Sequence, residues 1–306
     1  MSKSLITEPI FTIVIPTFQR DELLIQTINS LRFSPYIGEI IVINDDPSRS
    51  LVLKIEKVIV YNPGLNSGES GAINLGWSKA SFPYVIVISD DDPQPVNLFE
   101  EIATVIESNQ NSLVFYPNSN ECSSEGIIRT TKASEFSARN FYGLLRCPCL
   151  AGVAINRKLL EDLKITDIRQ AKIDFPSDLI QWLELSKFGT FIPVPLGFSN
   201  WWRHDDQMTR NLGEFRRAKL FFDHVTTWFR DNPSFIQDST FWAIFLRSTQ
   251  LLGLNIFTFK GLKFLRTCFM ETYSIYLNQK IRHTKIVYLL ALTVLKFSIL
   301  KLPHDR

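Results

Sequence analysis

The sequence predicts an α/β fold: a doubly wound, mostly parallel, Rossmann-like sheet followed by a C-terminal helical extension. Short, continuously apolar segments alternate with segments of helical periodicity through the first hundred residues, and beyond about residue 213 the pattern is helical and rich in Phe and Leu. Continuously apolar strands separated by helices are typical of a parallel sheet that is covered on both faces. We predict an α/β domain over residues 1–212 and a helical, basic region over residues 213–306.

Each element follows from the spacing of its apolar residues. Runs of β-branched and aromatic residues predict strands, whereas apolar residues three or four positions apart, such as Leu24, Ile28 and Leu31, predict a helical face. The predicted order is strand 11–15, helix 21–31, strand 40–43, strand 58–61, helix 70–80, strand 84–88, mixed strands and loops over 109–150, strand and helix 153–163, helix 178–188 and strand 191–194.

Composition and charge limit the class of protein. With 45% apolar and 21% charged residues, the chain is globular rather than disordered. A net charge of +2 gives no sign of a nucleic-acid partner, and we expect none. The charge is unevenly spread, because residues 255–306 carry nine Lys or Arg and two acids, or +7, and the residues before them carry −5. Such asymmetry is typical of a segment that contacts an anionic surface.

The basic segment also contains an apolar run at residues 286–300. Its fifteen residues are fewer than the roughly 20 that span a bilayer as a helix. Basic flanks fit a helix that lies on the anionic inner face of the plasma membrane through residues 280–301. A helix that packs in the core and a helix that mediates oligomerisation are the alternatives.

The cysteines and the N-terminus indicate a cytoplasmic protein. Cys147 and Cys149 are one residue apart, and no second Cys/His cluster would complete a zinc site, so we expect four reduced thiols. The first residues lack the charged region, apolar run and small-residue cleavage site of a signal peptide.

Polar and acidic residues follow three of the predicted strands. In an open parallel sheet, ligands bind beyond the carboxyl ends of the strands. Three consecutive carboxylates repel one another, and a hard divalent cation such as Mg²⁺ would compensate them; an ordinary solvated acidic turn is the alternative. The strand-end residues are Pro16 and Thr17 after the first strand, Asp45 and Asp46 after the second, and Asp90, Asp91 and Asp92 after the fourth.

The chain has no glycine-rich phosphate loop. Neither GxxxxGK[ST] nor GxGxxG occurs, which disfavours an ATPase or a dinucleotide-binding enzyme. A divalent metal, Mn²⁺ or Mg²⁺, that bridges carboxylates and a diphosphate leaving group is the remaining way to hold a nucleotide. The acids therefore favour transfer of a group from a nucleoside diphosphate.

Six segments, in this order, resemble the family 2 glycosyltransferases of the GT-A fold, of the kind that builds bacterial envelope polysaccharides. The similarity covers about residues 10–210 and implies a nucleotide-sugar donor, a saccharide or lipid-linked saccharide acceptor, a divalent metal and an inverting reaction. The segments are IVIPTFQR, VINDDPS, NPGLNSGESGAINLGWSKA, VIVISDDDPQP, FPSDLIQWLEL and WWRHDDQMT.

The resemblance implies a role for each matching residue. The metal motif stays open, because any two of Asp90, Asp91 and Asp92 could form it, and we prefer Asp90 with Asp92. Trp201 and Trp202 either stack on a sugar or pack. The implied donor contacts are Pro16, Thr17, Arg20, Asp45, Asp46, Asn74, Asp90, Asp91 and Arg203, the implied metal ligands are Asp92 and His204, and the implied catalytic base is Asp178.

The sequence departs from the family at two positions. Ser177-Asp178 replaces a common Glu-Asp pair, which leaves Asp178 as the base, and Pro47 replaces a glycine after the Asp pair. A positioned carboxylate that takes the proton of an acceptor hydroxyl contributes about 10²–10⁴-fold in rate. Asp178 also fits a helix N-cap, unless Ser177 provides the cap.

Two other functions compete with glycosyl transfer. An inactive GT-A domain that serves as a scaffold or binding module would keep the fold without the reaction. A nucleotidyltransferase would normally have a glycine-rich loop after the first strand, and PTFQRDE contains no glycine.

Overall fold

The structure is a computed structural model that describes residues 8–139, 147–169, 175–203, 212–253 and 258–277. The chain divides into two compact units, residues 1–211 and 212–306. The first unit contains the sheet and its covering helices, and the described residues of the second unit are helical.

The first unit alternates strands and helices before its second half becomes irregular. Its elements are β1 (Phe11–Thr17), α1 (Asp21–Leu31), β2 (Ile37–Asn44), β3 (Val58–Tyr61), α2 (Gly68–Lys79), β4 (Tyr84–Val87), α3 (Leu98–Glu107), β5 (Val114–Ser123), β6 (Gly126–Thr131), β7 (Ala154–Asn156), α4 (Arg157–Asp162), α5 (Ser177–Leu185) and β8 (Phe191–Trp202).

The sheet has the strand order β3-β2-β1-β4-β7-β5-β6, with β8 beside β5. The β1–β2, β1–β4, β2–β3 and β5–β8 pairs are parallel, whereas β7 runs antiparallel to β4 and β5, and β6 runs antiparallel to β5. The prediction of a mostly parallel, helix-covered sheet is confirmed. The antiparallel strands all lie in the part of the sequence where no regular alternation was visible.

One predicted strand was much too short. The apolar run 191–194 is only the beginning of β8, which continues to Trp202 and stays paired with β5 across a register shift. The apolar pattern is interrupted by Pro193, Pro195 and Gly197, so the sequence pattern did not predict that the strand continues there. Proline is tolerated because β8 borders the sheet and needs fewer ladder donors.

Helices cover both faces of the parallel half. Phe11 and Ile15 of β1 pack in one buried cluster with Leu24 of α1 and Phe99 of α3. On the opposite face α2 lies against β1 and β2. Because both faces are covered, β1, β2 and β4 are apolar at nearly every position, which is why they read as continuous runs rather than alternating ones.

The second unit contains α6 (Glu214–Asp231), α7 (Asp238–Leu252) and α8 (Phe259–Leu277). Its small core joins Ala218, Leu252 and Leu265. Among the residues that the structure describes, no helix is both long and apolar enough to cross a membrane. The segment 280–301, for which membrane contact is predicted, lies outside the described residues.

Candidate donor and catalytic site

The carboxyl ends of β1, β2 and β4 lie at one edge of the sheet, because these strands are parallel neighbours. Thr17 ends β1 after the half-buried Pro16, and its Oγ1 donates a 2.7 Å hydrogen bond to Oδ2 of Asp90. Nη1 of Arg20 lies 3.3 Å from Oδ1 of Asp90 and 2.7 Å from Oδ2 of Asp91. Residues from two predicted motifs thus form one hydrogen-bonded cluster.

The three aspartates after β4 are buried at this edge. Burial raises the pKa of Asp90, and the hydrogen bond from Thr17 opposes that shift. Burial, followed by repulsion from Asp91, raises the pKa of Asp92 well above its usual value, although the backbone N–H of Trp202 donates to its Oδ1 at 2.7 Å. The carboxylates would therefore be stabilised in their charged form by a cation.

The donor set suits a hard divalent cation. Mg²⁺ is commonly held by one or two carboxylates together with substrate phosphates, and Asp92 with Asp90 or Asp91 supplies that number. Over the described parts of the chain, no group of three or more His, Cys, Asp or Glu forms a metal cluster. His204, the other predicted ligand, belongs to residues 204–211 and lies outside those parts.

Asp46 is the centre of a hydrogen-bonded loop after β2. Its carboxylate accepts from the backbone N–H of Ser48 at 2.9 Å, from the Ser48 hydroxyl at 2.6 Å, from Nε2 of Gln19 at 2.9 Å and from Nε of Arg49 at 3.2 Å. These bonds, with the one from the Ser48 hydroxyl foremost, lower the pKa of Asp46 to about 2. Arg49 is also fixed by two 2.6 Å hydrogen bonds to Asp21. Gln19 and Arg49 were not predicted as site residues, although Gln19 lies within the segment IVIPTFQR and Arg49 directly follows VINDDPS.

The side chains of Asp45 and Asn74, also predicted to contact the donor, accept hydrogen bonds from the backbone of other segments. Oδ1 of Asp45 accepts from the backbone N–H and the hydroxyl of Ser67, at 2.7 and 2.8 Å, and so fixes the start of α2. Oδ1 of Asn74, within α2, accepts from the backbone N–H groups of Ile168 and Arg169, and its Nδ2 donates to the Arg169 carbonyl at 2.9 Å. The Asn74 side chain therefore holds a distant loop against α2.

Asp178 lies in the first turn of α5. The N-cap position is Pro176, Ser177 is already helical, and no side chain caps the helix. The alternative that Ser177 or Asp178 caps the helix is therefore not observed, and both accept from the guanidinium of Arg169: Nη1 donates to Ser177 Oγ at 3.1 Å and Nη2 to Asp178 Oδ1 at 2.5 Å. The Asp178 side chain is 39% exposed, so it remains within reach of a ligand.

The thiol of Cys149 is affected by the charges of both Asp178 and Asp92. Burial raises the pKa of this thiol, and the charges of Asp92 and then Asp178 raise it further. Coulombic effects of this kind fall off with distance, so the thiol lies in the field of both carboxylates. Cys122 and Cys149 form no disulfide.

The last described residues of β8 border the aspartates. Nε1 of Trp202 donates to the Pro93 carbonyl at 3.3 Å, and both Trp201 and Trp202 are half-buried. Nη1 of Arg203 donates to Glu121 at 3.0 Å, and Glu121 also pairs with Arg129. Trp202 therefore packs, whereas Arg203, predicted to contact the donor, pairs with Glu121 and keeps 44% of its side chain exposed.

Comparison with known proteins identifies related chains. Residues 12–163 match the family described as glycosyl transferase family 2. An "uncharacterized glycosyltransferase" of Rickettsia bellii (strain RML369-C) is 26% identical over 196 residues, which cover 61% of this chain and 28% of that protein. The chain thus spans less than a third of that relative's length.

Solved structures agree in fold. S. aureus TarS 1-349 in complex with UDP-GlcNAc superposes with a TM-score of 0.55 at 13% identity, covering 86% of this chain and 89% of that one. A second S. aureus TarS structure gives a TM-score of 0.56 at 14% identity, over 82% of this chain and 45% of that one. A third, of TarS 1-349 in complex with UDP, gives 0.53 at 14% identity, over 86% and 88%. At these identities the likeness shows a shared GT-A fold.

Proposed function

The chain belongs to glycosyl transferase family 2, and we propose that it transfers a sugar from a nucleoside diphosphate donor to an acceptor hydroxyl, with inversion at the anomeric carbon. Residues 1–212 are the transferase domain in this proposal, and residues 213–306 are a helical region whose basic end contacts a membrane surface or another copy of the chain. The acceptor is a saccharide or lipid-linked saccharide of envelope polysaccharide or lipopolysaccharide synthesis, used on the cytoplasmic side of the membrane.

One observation carries the proposal: the loops after β1, β2 and β4 meet at one edge of the sheet. Thr17 and Arg20 contact Asp90, and Gln19 contacts Asp46, so the three motifs are joined by side-chain hydrogen bonds. This is the edge at which open parallel sheets bind ligands. The half-exposed Arg20 suits a phosphate oxygen, and Asp46, whose carboxylate already accepts four hydrogen bonds, orders the loop after β2.

Asp92, with Asp90 or Asp91 and with His204, would hold a divalent metal. When bound, such a metal neutralises charge on the departing diphosphate as a Lewis acid. Burial and mutual repulsion of these carboxylates support this assignment.

Asp178 would act as the general base. The acceptor oxygen forms a bond to the anomeric carbon as the bond from that carbon to the diphosphate oxygen breaks, and Asp178 takes the hydroxyl proton. A single displacement of this kind inverts the anomeric configuration. The side chain of Asp178 is 39% exposed, which supports this role because an acceptor can reach the carboxylate.

The test compares donor binding with donor turnover. We would titrate UDP-GlcNAc, UDP and a panel of other nucleotide sugars by calorimetry with Mn²⁺, Mg²⁺ or EDTA, and follow release of the nucleoside diphosphate. The variants are Asp92→Ala and Asp178→Asn, with Asp162→Asn as the matched control because Asp162 is an exposed carboxylate at the end of α4.

We expect one donor to bind in a metal-dependent way and Asp92→Ala to abolish that binding. Asp178→Asn should retain binding but lose about 10²–10⁴-fold in turnover. Donor binding without turnover in any variant, wild type included, would favour the scaffold function. Release of pyrophosphate from a nucleoside triphosphate and a sugar phosphate would identify a nucleotidyltransferase instead.

A further inference from the structure

Arg169 is a buried cation whose donors converge on the proposed base. Its side chain is 1% exposed. Nε donates to Oε1 of Gln181 at 3.0 Å, and Nη1 lies 3.1 Å from Ser177 Oγ and 3.3 Å from a Glu69 carboxylate oxygen. Nη2 donates to Asp178 Oδ1 at 2.5 Å. A buried guanidinium is costly unless its charge and its donors are matched, and here both conditions are met.

The backbone of Arg169 is as firmly held as its side chain. Asn74 of α2 makes three hydrogen bonds to the backbone of Ile168 and Arg169. The guanidinium is therefore located by α2 from one side and by α5 from the other. Its orientation does not depend on Asp178, because Glu69 and Gln181 would still bind it.

Asp178 is placed very differently. Its side chain is 39% exposed, and the hydrogen bond from Arg169 fixes one of its two carboxylate oxygens. An exposed aspartate without such a bond would sample several rotamers. A general base must lie within hydrogen-bond reach of the proton that it abstracts, and a misplacement of about 1 Å costs about 10²-fold in rate.

We propose that Arg169 is a positioning residue that holds the Asp178 carboxylate in the orientation required for catalysis, through a guanidinium fixed beforehand by Glu69, Gln181 and the Asn74 clamp. This inference rests on the proposed role of Asp178 as base. It assigns to Arg169 an effect on the chemical step rather than on donor affinity, because its described side-chain partners belong to α2 and α5 and none follows β1, β2 or β4.

The experiment uses the full chain and four variants: Arg169→Ala, Arg169→Lys, Asp178→Asn and the double variant Arg169→Ala/Asp178→Asn. For each we would measure kcat and KM, donor affinity by calorimetry, and urea unfolding. Added guanidinium chloride at low concentration would then be tested for rescue of Arg169→Ala. Arg169→Lys keeps the charge but loses the planar fork, and it is the fallback if Arg169→Ala does not fold.

We expect Arg169→Ala to lower kcat about 10–10²-fold with donor affinity within about threefold of wild type, since only the base is displaced. Guanidinium should restore part of kcat in Arg169→Ala and none in the double variant. The two substitutions should also be non-additive in the unfolding constant, a readout that needs no turnover.

Three results would overturn the inference. Arg169→Ala could lower stability while the folded protein keeps wild-type kcat, which would make the role purely structural. It could weaken donor binding as much as it lowers kcat. Lastly, Asp178→Asn could retain wild-type turnover, in which case the proposed role of Asp178 as base is itself wrong. If Asp178→Asn loses turnover while Arg169→Ala keeps full turnover, only the positioning role of Arg169 is refuted.

Discussion

Gly76 of α2 is predicted to tolerate even alanine poorly. A Cβ at this position would lie 2.3 Å from Cγ1 and 3.2 Å from Cγ2 of Val14, which is fully buried in β1. Real carbon contacts do not approach 2.3 Å, so α2 or β1 must move. The glycine thus permits the close approach that brings α2 onto the sheet, and α2 carries Asn74 and Glu69, both of which hold Arg169.

The magnitude follows from two opposing effects. Overpacking a buried contact costs about 1–3 kcal/mol, and the severity of this overlap places it near the upper end. Replacing glycine by alanine inside a helix returns about 1 kcal/mol. We therefore expect Gly76→Ala to lower the free energy of unfolding by about 2 kcal/mol.

Val14→Ala supplies the matched partner. Alone, it removes two buried methyl groups and should cost about 2 kcal/mol in transfer and cavity terms. In the double variant the methyl group introduced at position 76 enters the space that the valine methyl groups leave. The double variant should therefore be more stable than the sum of the single changes by at least about 1.5 kcal/mol.

Urea unfolding followed by far-UV circular dichroism would measure all four proteins. Additive changes in the free energy of unfolding, or a Gly76→Ala protein as stable as wild type, would refute this account of how α2 seats on β1. Donor turnover by the same proteins would show whether the site follows the helix: Gly76→Ala should lose activity, and the double variant should regain part of it.

Other predictions concern the loops around the site. The pKa of Asp46 is lowered to about 2, so its hydrogen bonds stabilise the fold above its unfolded pKa and this stabilisation is lost as the pH falls. Asp46→Asn should therefore flatten the decline in the urea midpoint between about pH 4 and pH 2. An unchanged decline would contradict this. Asn74→Ala leaves buried backbone groups at Arg169 without partners and should cost about 1–3 kcal/mol in urea unfolding, with a fall in turnover and little change in donor affinity. Burial raises the pKa of the Cys268 thiol, so it should be alkylated by iodoacetamide at about pH 8 at least about tenfold more slowly in the native than in the unfolded protein, as measured by mass spectrometry; equal rates would contradict the burial.

Much of the parallel half of the fold was predictable because its signals are local. Strands such as β3 and helices such as α1 begin and end at residues that apolar spacing marks, and β3 and α1 were predicted with their observed bounds. The acidic residues at the strand ends were predictable for the same reason: a parallel sheet brings consecutive strand ends to one edge. The β5–β8 region was predictable only in outline, because Pro and Gly break the period of β8 and its pairing with β5 spans a long stretch of sequence.

The amino-acid sequence was sufficient to predict the parallel α/β half and the acids Asp46 and Asp90 at the ends of its strands, because periodicity and strand ends are properties of neighbouring residues. Only the tertiary structure decided what Asn74 and Arg169 do. Asn74, predicted to contact the donor, holds backbone nearly a hundred residues away in the sequence, and Arg169 has no motif around it. Their roles arise from α2 and α5 converging on one loop, and such convergence is set by how helices pack on a sheet, which no local pattern in the sequence encodes.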